Sequence, residues 1–276
     1  MKTKKRFDFP EQIRLENTNK CNAHCVICPR EKQTRAQGFM DESLLERILE
    51  ECRGERITKF TVQGYGEPLL DKNFCRFVRR AKDTLDCPTF SVSNGSLITP
   101  GLAREMVSSG LDKVKISFYG VNKEEYEKIH TPLSFDKTRQ CILNLIEAKK
   151  EAGSSMKIRL QYIGSIWRFL PFCLQWAGKT MVGFNTLHNY GHGRRYNRRE
   201  NRGRCPMLDD PILQVLWNGD IVPCCYDFNG EMVLGNLYKN SIREIWRGEP
   251  YEKMRKANDR GDFSDYPICL MCDRRR

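Results

Sequence analysis

The chain has 276 residues, of which 39% are hydrophobic, and a formal net charge of +12. This length allows one large domain, or a domain of about 200 residues with a small appendage. No run of about 18 apolar residues is present, which argues against a transmembrane helix, and the charged N-terminus lacks the apolar stretch of a signal peptide. We therefore expect a cytoplasmic protein with reduced thiols and no membrane partner. Its basic charge is consistent with an anionic partner.

From residue 11 to about 187, short β-rich segments alternate with amphipathic helices. The predicted strands are 13–19, 57–64, 89–95, 113–120, 156–164 and 181–189. The predicted helices are 41–52, with Asp41 as N-cap, 71–82, 100–110, 122–130, 135–153 and 166–177. Six βα units in succession predict a parallel sheet with helical crossovers, in which ligands bind at the carboxyl ends of the strands. Periodicity alone does not distinguish a flat sheet from a partial barrel.

The alternation stops at residues 188–204, a stretch rich in Gly, Asn and Arg that is typical of a loop or linker. Beyond it, residues 205–276 form a short segment that carries several cysteines. Its sequence LQVLWNGDIVPCC predicts a hairpin with Asn218 and Gly219 in a type I′ turn. Two short helices are predicted around 241–246 and 250–258.

Three of the thirteen cysteines lie close together as Cys21, Cys25 and Cys28, in the spacing C-x3-C-x2-C. Thiolates at this spacing can converge on one metal centre. A structural zinc ion takes four protein ligands, and His24 could supply the fourth, although it lies within the same tight loop. Three thiolates on a cubane iron–sulfur cluster would instead leave one iron open to a small molecule. The spacing by itself leaves both alternatives open.

This motif, directly after a first strand and ahead of a βα series, resembles the radical S-adenosylmethionine (SAM) superfamily. Three further stretches resemble motifs of that family: GYGEP at 64–68, SNG at 93–95 and SFYG at 117–120. The resemblance covers about residues 11–190 and implies an α/β fold, a partial (β/α)6 barrel of the TIM type. Two departures are Ile27, where an aromatic residue is usual, and Tyr65, which replaces the second glycine of the family's GGEP motif.

The resemblance also implies the cofactors. Cys21, Cys25 and Cys28 would hold a [4Fe–4S] cluster whose open iron binds SAM. One electron, from a donor such as flavodoxin or ferredoxin, would cleave SAM and give a 5′-deoxyadenosyl radical that abstracts a hydrogen atom from the substrate. The residues implied to contact SAM are Ile27, Gly64, Tyr65, Gly66, Glu67, Pro68, Ser93, Asn94, Ser117 and Gln161.

The cysteines of the C-terminal segment resemble those of a twitch domain, a shortened SPASM domain that holds one auxiliary [4Fe–4S] cluster. The implied ligands are Cys205, Cys224, Cys269 and Cys272, and Cys225 is left over. Four protein ligands leave no open iron, which favours electron transfer over substrate binding. By their spacing alone these cysteines would suit zinc equally well. The implied domains are a radical SAM core at 1–190, an Arg-rich linker at 191–204 and an auxiliary-cluster domain at 205–276.

Within the superfamily, the GEPLL and MVLGN runs resemble the twitch-type group that includes an aminocyclitol dehydrogenase. This resemblance implies oxidation, or a related modification, of a sugar- or aminocyclitol-type small molecule. Oxidation also needs a base to take a proton. The candidate bases or substrate contacts are His188, Tyr190, His192 and Arg194. His188 and Tyr190 are favoured, because they leave the sixth predicted strand at its open end.

Two other functions stay open at this point. A peptide maturase could bind an acidic leader through its Arg-rich loop, and Cys225 could donate a hydrogen atom in an epimerisation. A zinc-stabilised binding protein without catalysis is the more distant alternative. Nucleic acid is not the favoured partner, because no recognised binding module accompanies the arginines.

Overall fold

The chain forms one nine-stranded mixed sheet in a computed structural model, which describes residues 7–188, 190 and 203–275. The strands are β1 Gln12–Leu15, β2 Lys59–Val62, β3 Thr89–Ser93, β4 Lys113–Ser117, β5 Lys157–Tyr162, β6 Met181–Phe184, β7 Ile212–Val215, β8 Asp220–Val222 and β9 Gly235–Asn236. Each of the six strands predicted before residue 190 is present, although most end earlier than predicted.

Ten α-helices are described, and each helix predicted from the sequence is among them. They are α1 Glu42–Cys52, α2 Phe74–Thr84, α3 Pro100–Ser108, α4 Lys123–Ile129, α5 Phe135–Glu151, α6 Ile166–Trp176, α7 Pro206–Asp209, α8 Ile242–Arg247, α9 Glu249–Arg260 and α10 Pro267–Leu270. Asp41 is the N-cap residue of α1, but its side chain makes no capping hydrogen bond there. Among the described helices, none has the length and apolar composition needed to cross a membrane.

The strand order is β6-β5-β4-β3-β2-β1-β7-β8-β9. Strands β1 to β6 are parallel to their neighbours, as predicted. Strand β7 comes from the cysteine-bearing C-terminal segment and pairs in parallel with β1, so that Gln12 lies opposite Ile212 and Leu15 opposite Val215. The C-terminal segment therefore extends the same sheet, a pairing that the sequence did not predict.

The predicted hairpin exists, but its turn is not of type I′. Strands β7 and β8 are antiparallel, and the N–H of Gly219 donates to the carbonyl of Leu216. A type I′ turn needs positive φ at both central residues, whereas here Gly219 has φ 82° and Asn218 does not have positive φ. The single left-handed residue at the end of the turn is the arrangement of a turn followed by a glycine bulge.

The two faces of the sheet differ in chemistry. Residues on the outer face, such as Ile13, Phe60, Val114 and Leu160, are fully buried in the core against the helices. Their neighbours along each strand point to the opposite, inner face, because side chains alternate along a strand. Helices on one face and polar residues on the other are typical of a partial barrel, and the predicted fold class is confirmed by the comparisons below.

The loop after β1 and the C-terminal segment are held together by a buried ion pair. The guanidinium of Arg35 donates two hydrogen bonds of 2.6 Å to the carboxylate of Glu16, which is almost fully buried at the end of β1. The same guanidinium donates to the carbonyl of Phe228. Because a buried charge is stable only when it is paired, this contact fixes the C-terminal segment against the core.

Candidate active site

The three N-terminal thiols line a cavity of about 340 Å³ at the carboxyl ends of the parallel strands. Among the described residues, no three His, Cys, Asp or Glu side chains are placed to hold a single metal ion. His24 is exposed and does not line the cavity, so it does not complete a zinc site with Cys21, Cys25 and Cys28. Thiols spread around a cavity suit a cluster of several metal atoms better than one ion.

The loop that carries these thiols is fixed by the segment after α4. The N–H groups of His24 and Val26 donate to the carbonyls of Thr131 and Ile129. Between these two residues, His130 is fully buried, and its ring stacks against the ring of Tyr126 at 4.5 Å between centroids. The residues after α4 therefore set where the thiols point.

His130 also contacts a thiol directly. Its Nδ1 atom lies 3.3 Å from the Sγ atom of Cys25, while its Nε2 atom accepts a hydrogen bond of 3.2 Å from the N–H of Tyr119. An Nε2 atom that accepts is unprotonated, so a neutral imidazole carries its proton on Nδ1. Burial lowers the pKa of His130 to about 3, which keeps the ring neutral. His130 is thus a donor to the Cys25 sulfur.

Burial, and with it the neighbouring Cys28 and Cys21 thiols, raises the pKa of the Cys25 thiol to about 12. Burial likewise raises the pKa of Cys21. Thiols bind metal as thiolates. Crowded, buried thiols of this kind lose their protons when a positively charged iron–sulfur core compensates them, so the donor set fits such a cluster.

Glu67 forms the polar wall beside the thiols. Its carboxylate accepts hydrogen bonds from the Ser93 hydroxyl at 2.7 Å, the Asn94 N–H at 2.6 Å and the Leu69 N–H at 3.1 Å. Burial raises the pKa of Glu67 to about 7, and these three hydrogen bonds oppose that rise. The GYGEP and SNG segments, which are separate in the sequence, are therefore joined through one carboxylate.

The glycines of GYGEP allow a close approach of the backbone. A Cβ atom on Gly66 would lie 2.3 Å from the carbonyl oxygen of Thr18, and one on Gly64 would lie 2.3 Å from the Glu16 side chain. Tyr65, between them, donates its hydroxyl hydrogen to the carbonyl of Cys225. Its ring meets the ring of Phe228 edge-on, with 5.8 Å between centroids. Tyr65 therefore belongs to a wall shared with the C-terminal segment.

Most of the residues predicted to contact SAM line this cavity. They are Ile27, Gly64, Tyr65, Gly66, Glu67, Ser93, Asn94 and Ser117. Two others do not form its wall: Pro68 is buried at the start of a 3₁₀ helix, and Gln161 lies on β5 opposite Ser117. Their roles toward SAM stay predictions.

Of the four candidate catalytic residues, His188 and Tyr190 line the cavity, whereas His192 and Arg194 lie outside the described residues. The Nδ1 atom of His188 lies 3.3 Å from a carboxylate oxygen of Asp273, a residue of the C-terminal segment. Burial and the Arg274 guanidinium lower the pKa of His188, while Asp273 raises it. Asp273 was not predicted as a site residue, although its position directly after Cys272 indicates a place near the site.

Aromatic rings close the cavity around His188. The rings of Tyr190 and Tyr226 are 5.2 Å apart between centroids, and the ring of Tyr226 is 5.9 Å from that of His188. The Nε atom of Arg274 donates a hydrogen bond of 2.7 Å to the Tyr226 hydroxyl. Tyr226 and Arg274 are two further residues of the cavity that the sequence analysis missed.

The four predicted C-terminal ligands line a second, smaller cavity of about 20 Å³. They are Cys205, Cys224, Cys269 and Cys272. Burial, together with the charge of the neighbouring Cys205 thiol, raises the pKa of Cys269 to about 12 and that of Cys272 to about 11. This donor set also fits a cluster bound by four thiolates.

Two residues connect the cavities. Cys224 and Tyr226 line both, so a cluster at the second site would adjoin the first cavity. Cys225 lines the first cavity and not the second. The leftover cysteine therefore faces the candidate active site and not the second cavity, although its neighbour Cys224 lines both.

Comparisons with known proteins agree with this arrangement. The family model of the radical SAM superfamily matches residues 15–160, which is more than half of the chain. A model of an iron–sulfur cluster-binding domain, SPASM, matches residues 205–273. These matches set aside the zinc-stabilised binding protein.

One relative is the S-adenosyl-L-methionine-dependent 2-deoxy-scyllo-inosamine dehydrogenase of Niallia circulans. It is 23% identical over 265 residues, which cover 95% of this chain and 92% of that protein. The crystal structure of BtrN with AdoMet and 2-DOIA has a TM-score of 0.71 at 23% identity and covers 98% of this chain and 94% of BtrN.

A peptide-binding protein also has this fold. Streptococcus suis SuiB, bound to its precursor peptide SuiA, has a TM-score of 0.74 at 12% identity, and the match covers 96% of this chain and 70% of SuiB. At these identities the likeness of both structures establishes the fold alone.

Proposed function

Because the chain belongs to the radical SAM superfamily, we propose that it oxidises an alcohol carbon of a sugar- or aminocyclitol-type small molecule to a ketone. The observation that carries this proposal is the pairing of His188 with Asp273 in a cavity that adjoins both cysteine sites. Oxidation of an alcohol removes a hydrogen atom, a proton and an electron. In this proposal the hydrogen atom goes to the radical derived from SAM, the proton to His188 and the electron to the auxiliary cluster.

When bound, SAM and the two [4Fe–4S] clusters supply a 5′-deoxyadenosyl radical that takes the hydrogen atom and an acceptor for the remaining electron. Cys21, Cys25 and Cys28 would hold the cluster that is open to SAM. Cys205, Cys224, Cys269 and Cys272 would hold the closed auxiliary cluster. Glu67, fixed by Ser93 and Asn94, would orient the amino group of SAM.

His188 takes the hydroxyl proton in this proposal. Its Nδ1–H donates to the Asp273 carboxylate, which leaves Nε2 as the atom that accepts the proton. The carboxylate holds the ring in this tautomer and stabilises the imidazolium that forms. The lowered pKa of His188 keeps it neutral, and therefore able to act as a base, near pH 7.

Aromatic side chains form part of the wall of this cavity. The ring of Tyr190 packs between those of Tyr65 and Tyr226, at 6.2 Å and 5.2 Å between centroids. Walls of this kind limit the contact of a bound carbon radical with solvent. We further propose that a flavodoxin or ferredoxin reduces the first cluster.

The test is product analysis with the reconstituted protein, SAM, a reductant and a panel of sugars and aminocyclitols. We expect a product that is two hydrogens lighter than its substrate, together with 5′-deoxyadenosine. Formation of 5′-deoxyadenosine with a product of unchanged mass would reject the oxidation.

One observation favours a second candidate function, an epimerisation. Cys225 lines the active-site cavity, and a thiol there can return a hydrogen atom to the opposite face of a substrate radical. The thiyl radical left on Cys225 would regain an electron from the auxiliary cluster and a proton from solvent. The product would have an unchanged mass and, in deuterated water, would gain one deuterium from the exchangeable thiol. The Cys225→Ala variant would lose this product but would still oxidise an alcohol.

A further inference from the structure

The inner face of the partial barrel carries a group of cations on the far side of Ser117 from the active-site cavity. The members of this inner basic face are Arg14 on β1, Lys59 on β2, Lys113 and Lys115 on β4, and Lys157 and Arg159 on β5. They alternate along the strands with buried apolar residues of the outer face, such as Val114 and Ile158. Side chains that alternate in this way share one face of a sheet.

The strand register places like charges directly opposite one another. Lys113 pairs with Lys157, and Lys115 pairs with Arg159. Like charges in directly opposed positions destabilise a sheet. A bound group of opposite charge would therefore stabilise a sheet that holds two such pairs side by side.

No carboxylate of the described residues lies within salt-bridge distance of any member of the inner basic face. Glu16, the acidic residue at the end of β1, forms its ion pair with Arg35. The Nε atom of Arg159 is buried and has no hydrogen-bond partner among the described residues. Lys59 Nζ lies 4.8 Å from the centroid of the Phe90 ring. The positive charge of this face is therefore not compensated within the part of the chain that the structure describes.

The cations of the inner basic face lie close enough to influence one another. Burial lowers the pKa of Lys115, and Lys113, Lys59, Arg159 and Arg14 lower it further. Arg14 lies on β1, three strands away from β4, and its long side chain shares the inner face with Lys115. The cations of this face therefore repel one another across several strands.

The face is continuous with the active-site cavity. Ser117, which lines the cavity, follows Lys115 by two residues on β4, and Gln161 follows Arg159 by two residues on β5. Two residues of a strand span about 6.6 Å, which is close to the length of a sugar ring. A ligand anchored at Lys115 and Arg159 would thus present its next carbon atoms to the cavity.

We propose that the inner basic face binds a phosphate or diphosphate group of the substrate, so that the sugar-type substrate is a phosphate ester. The identification of this anion as part of the substrate rests on the proposed function. A phosphate group suits the face because it carries more than one negative charge and accepts paired hydrogen bonds from a guanidinium such as that of Arg159. Its charge would offset the repulsion between the opposed cations.

The test is calorimetric titration of the reconstituted holoenzyme with inorganic pyrophosphate. The double variant K115M/R159M removes one opposed pair, and R104M/K150M is the matched control, because it removes the same charge from exposed positions on α3 and α5. We expect the holoenzyme and the control to bind pyrophosphate alike and the double variant to bind it at least roughly tenfold more weakly. The single variant K115M should lie between them.

Thermal unfolding distinguishes a role of Lys115 and Arg159 in anion binding from a role in stabilising the fold. Without pyrophosphate, K115M/R159M should melt at the same temperature as the wild type or higher, because repulsion has been removed. Pyrophosphate should raise the melting temperature of the wild type and not that of the variant. A variant that melts lower but keeps its affinity for pyrophosphate would overturn the proposal.

Three other results would also overturn it. They are no binding of pyrophosphate by the wild type, equal weakening in the control variant, and tighter binding of a hexaglutamate peptide than of pyrophosphate. The last result would indicate an acidic peptide as the ligand. A holoenzyme that binds pyrophosphate at Lys115 and Arg159 but oxidises no sugar would reject the proposed function and leave the anion site standing.

Discussion

The Nδ1 atom of His130 lies 3.3 Å from the Sγ atom of Cys25, and the backbone N–H of Tyr119 fixes which imidazole nitrogen carries the proton. A buried, neutral donor therefore points at one of the three thiols that would hold the first cluster. Hydrogen bonds to the sulfur atoms are among the factors that set the potential of an iron–sulfur cluster. The segment after α4 thus influences how readily the first cluster accepts an electron.

Replacing His130 with phenylalanine should lower the reduction potential of the first cluster. The change removes one hydrogen bond to a thiolate, worth about 1 kcal/mol or somewhat more, which corresponds to roughly 50 mV for one electron. The potential is measured by redox titration followed by electron paramagnetic resonance. The His130→Gln variant retains an N–H donor and is the control, which should recover part of the shift. An unchanged potential in His130→Phe would show that the contact has no electronic effect.

Replacing His188 with alanine should reduce oxidation of the substrate by roughly 10²–10⁴-fold, the usual contribution of a general base. SAM cleavage should persist, because His188 is not among the residues at the thiols or at Glu67. The two rates are compared by product and 5′-deoxyadenosine formation. Equal loss of both would show that His188 supports the structure of the site and is not the base.

The pH dependence gives a second test of the same residue. A base acts when neutral, so activity should be lost as the pH falls through the pKa of His188, which burial and Arg274 hold below its usual value. Asp273 raises this pKa, so the Asp273→Asn variant should move the acid limb of the profile to lower pH. An acid limb that stays in place would contradict the pairing.

The Cys269→Ala variant should lose the auxiliary cluster. The wild type should bind about eight iron atoms per chain, and the variant about four, if each site holds a [4Fe–4S] cluster. The variant should still cleave SAM but should form no ketone. Cys225→Ala is the matched control and should keep its full iron content, because Cys225 does not line the second cavity. Full iron content in Cys269→Ala would exclude Cys269 as a ligand.

Replacing Gly66 with alanine should destabilise the protein by about 1–3 kcal/mol or more and weaken SAM binding, since overpacking against a fixed backbone costs at least this much. The new Cβ atom would lie 2.3 Å from the carbonyl oxygen of Thr18. Gly101→Ala is the control: a Cβ atom there has no neighbour closer than 3.9 Å within α3. Urea unfolding should show the control unchanged or slightly more stable. Equal effects of the two changes would contradict the close approach.

The sequence was most informative where the signal is local. The six core strands and their helices could be predicted, because hydrophobic periodicity is contained in short segments. The grouping of Cys21, Cys25 and Cys28 could also be predicted from their local spacing, whereas that of Cys205, Cys224, Cys269 and Cys272 depended on the family resemblance. The pairing of β7 with β1 could not be predicted, because LQVLW indicates a strand but not its partner. Likewise, His188 and Asp273 meet across 85 residues of sequence, a distance over which no local pattern acts.

The inner basic face could be predicted from the sequence only in part. Lys113 and Lys115 alternate with Val114 and Ile116 in a predicted strand. The sequence therefore indicates that the two lysines share one face of the sheet. The prediction of an anionic partner rested only on the charge of the whole chain and on the Arg-rich run. The register of β4 against β5, which opposes Lys115 to Arg159, required the structure.

The most direct measurement uses a substrate deuterated at the alcohol carbon. The reconstituted protein is incubated with this substrate, SAM and a reductant, and 5′-deoxyadenosine and product are analysed by mass spectrometry. For a radical dehydrogenase, we expect the deuterium in 5′-deoxyadenosine and a ketone in the product of the wild type. The Cys269→Ala variant should transfer the deuterium without forming the ketone. Deuterium retained in the product would contradict abstraction from the alcohol carbon, and with it the proposed oxidation.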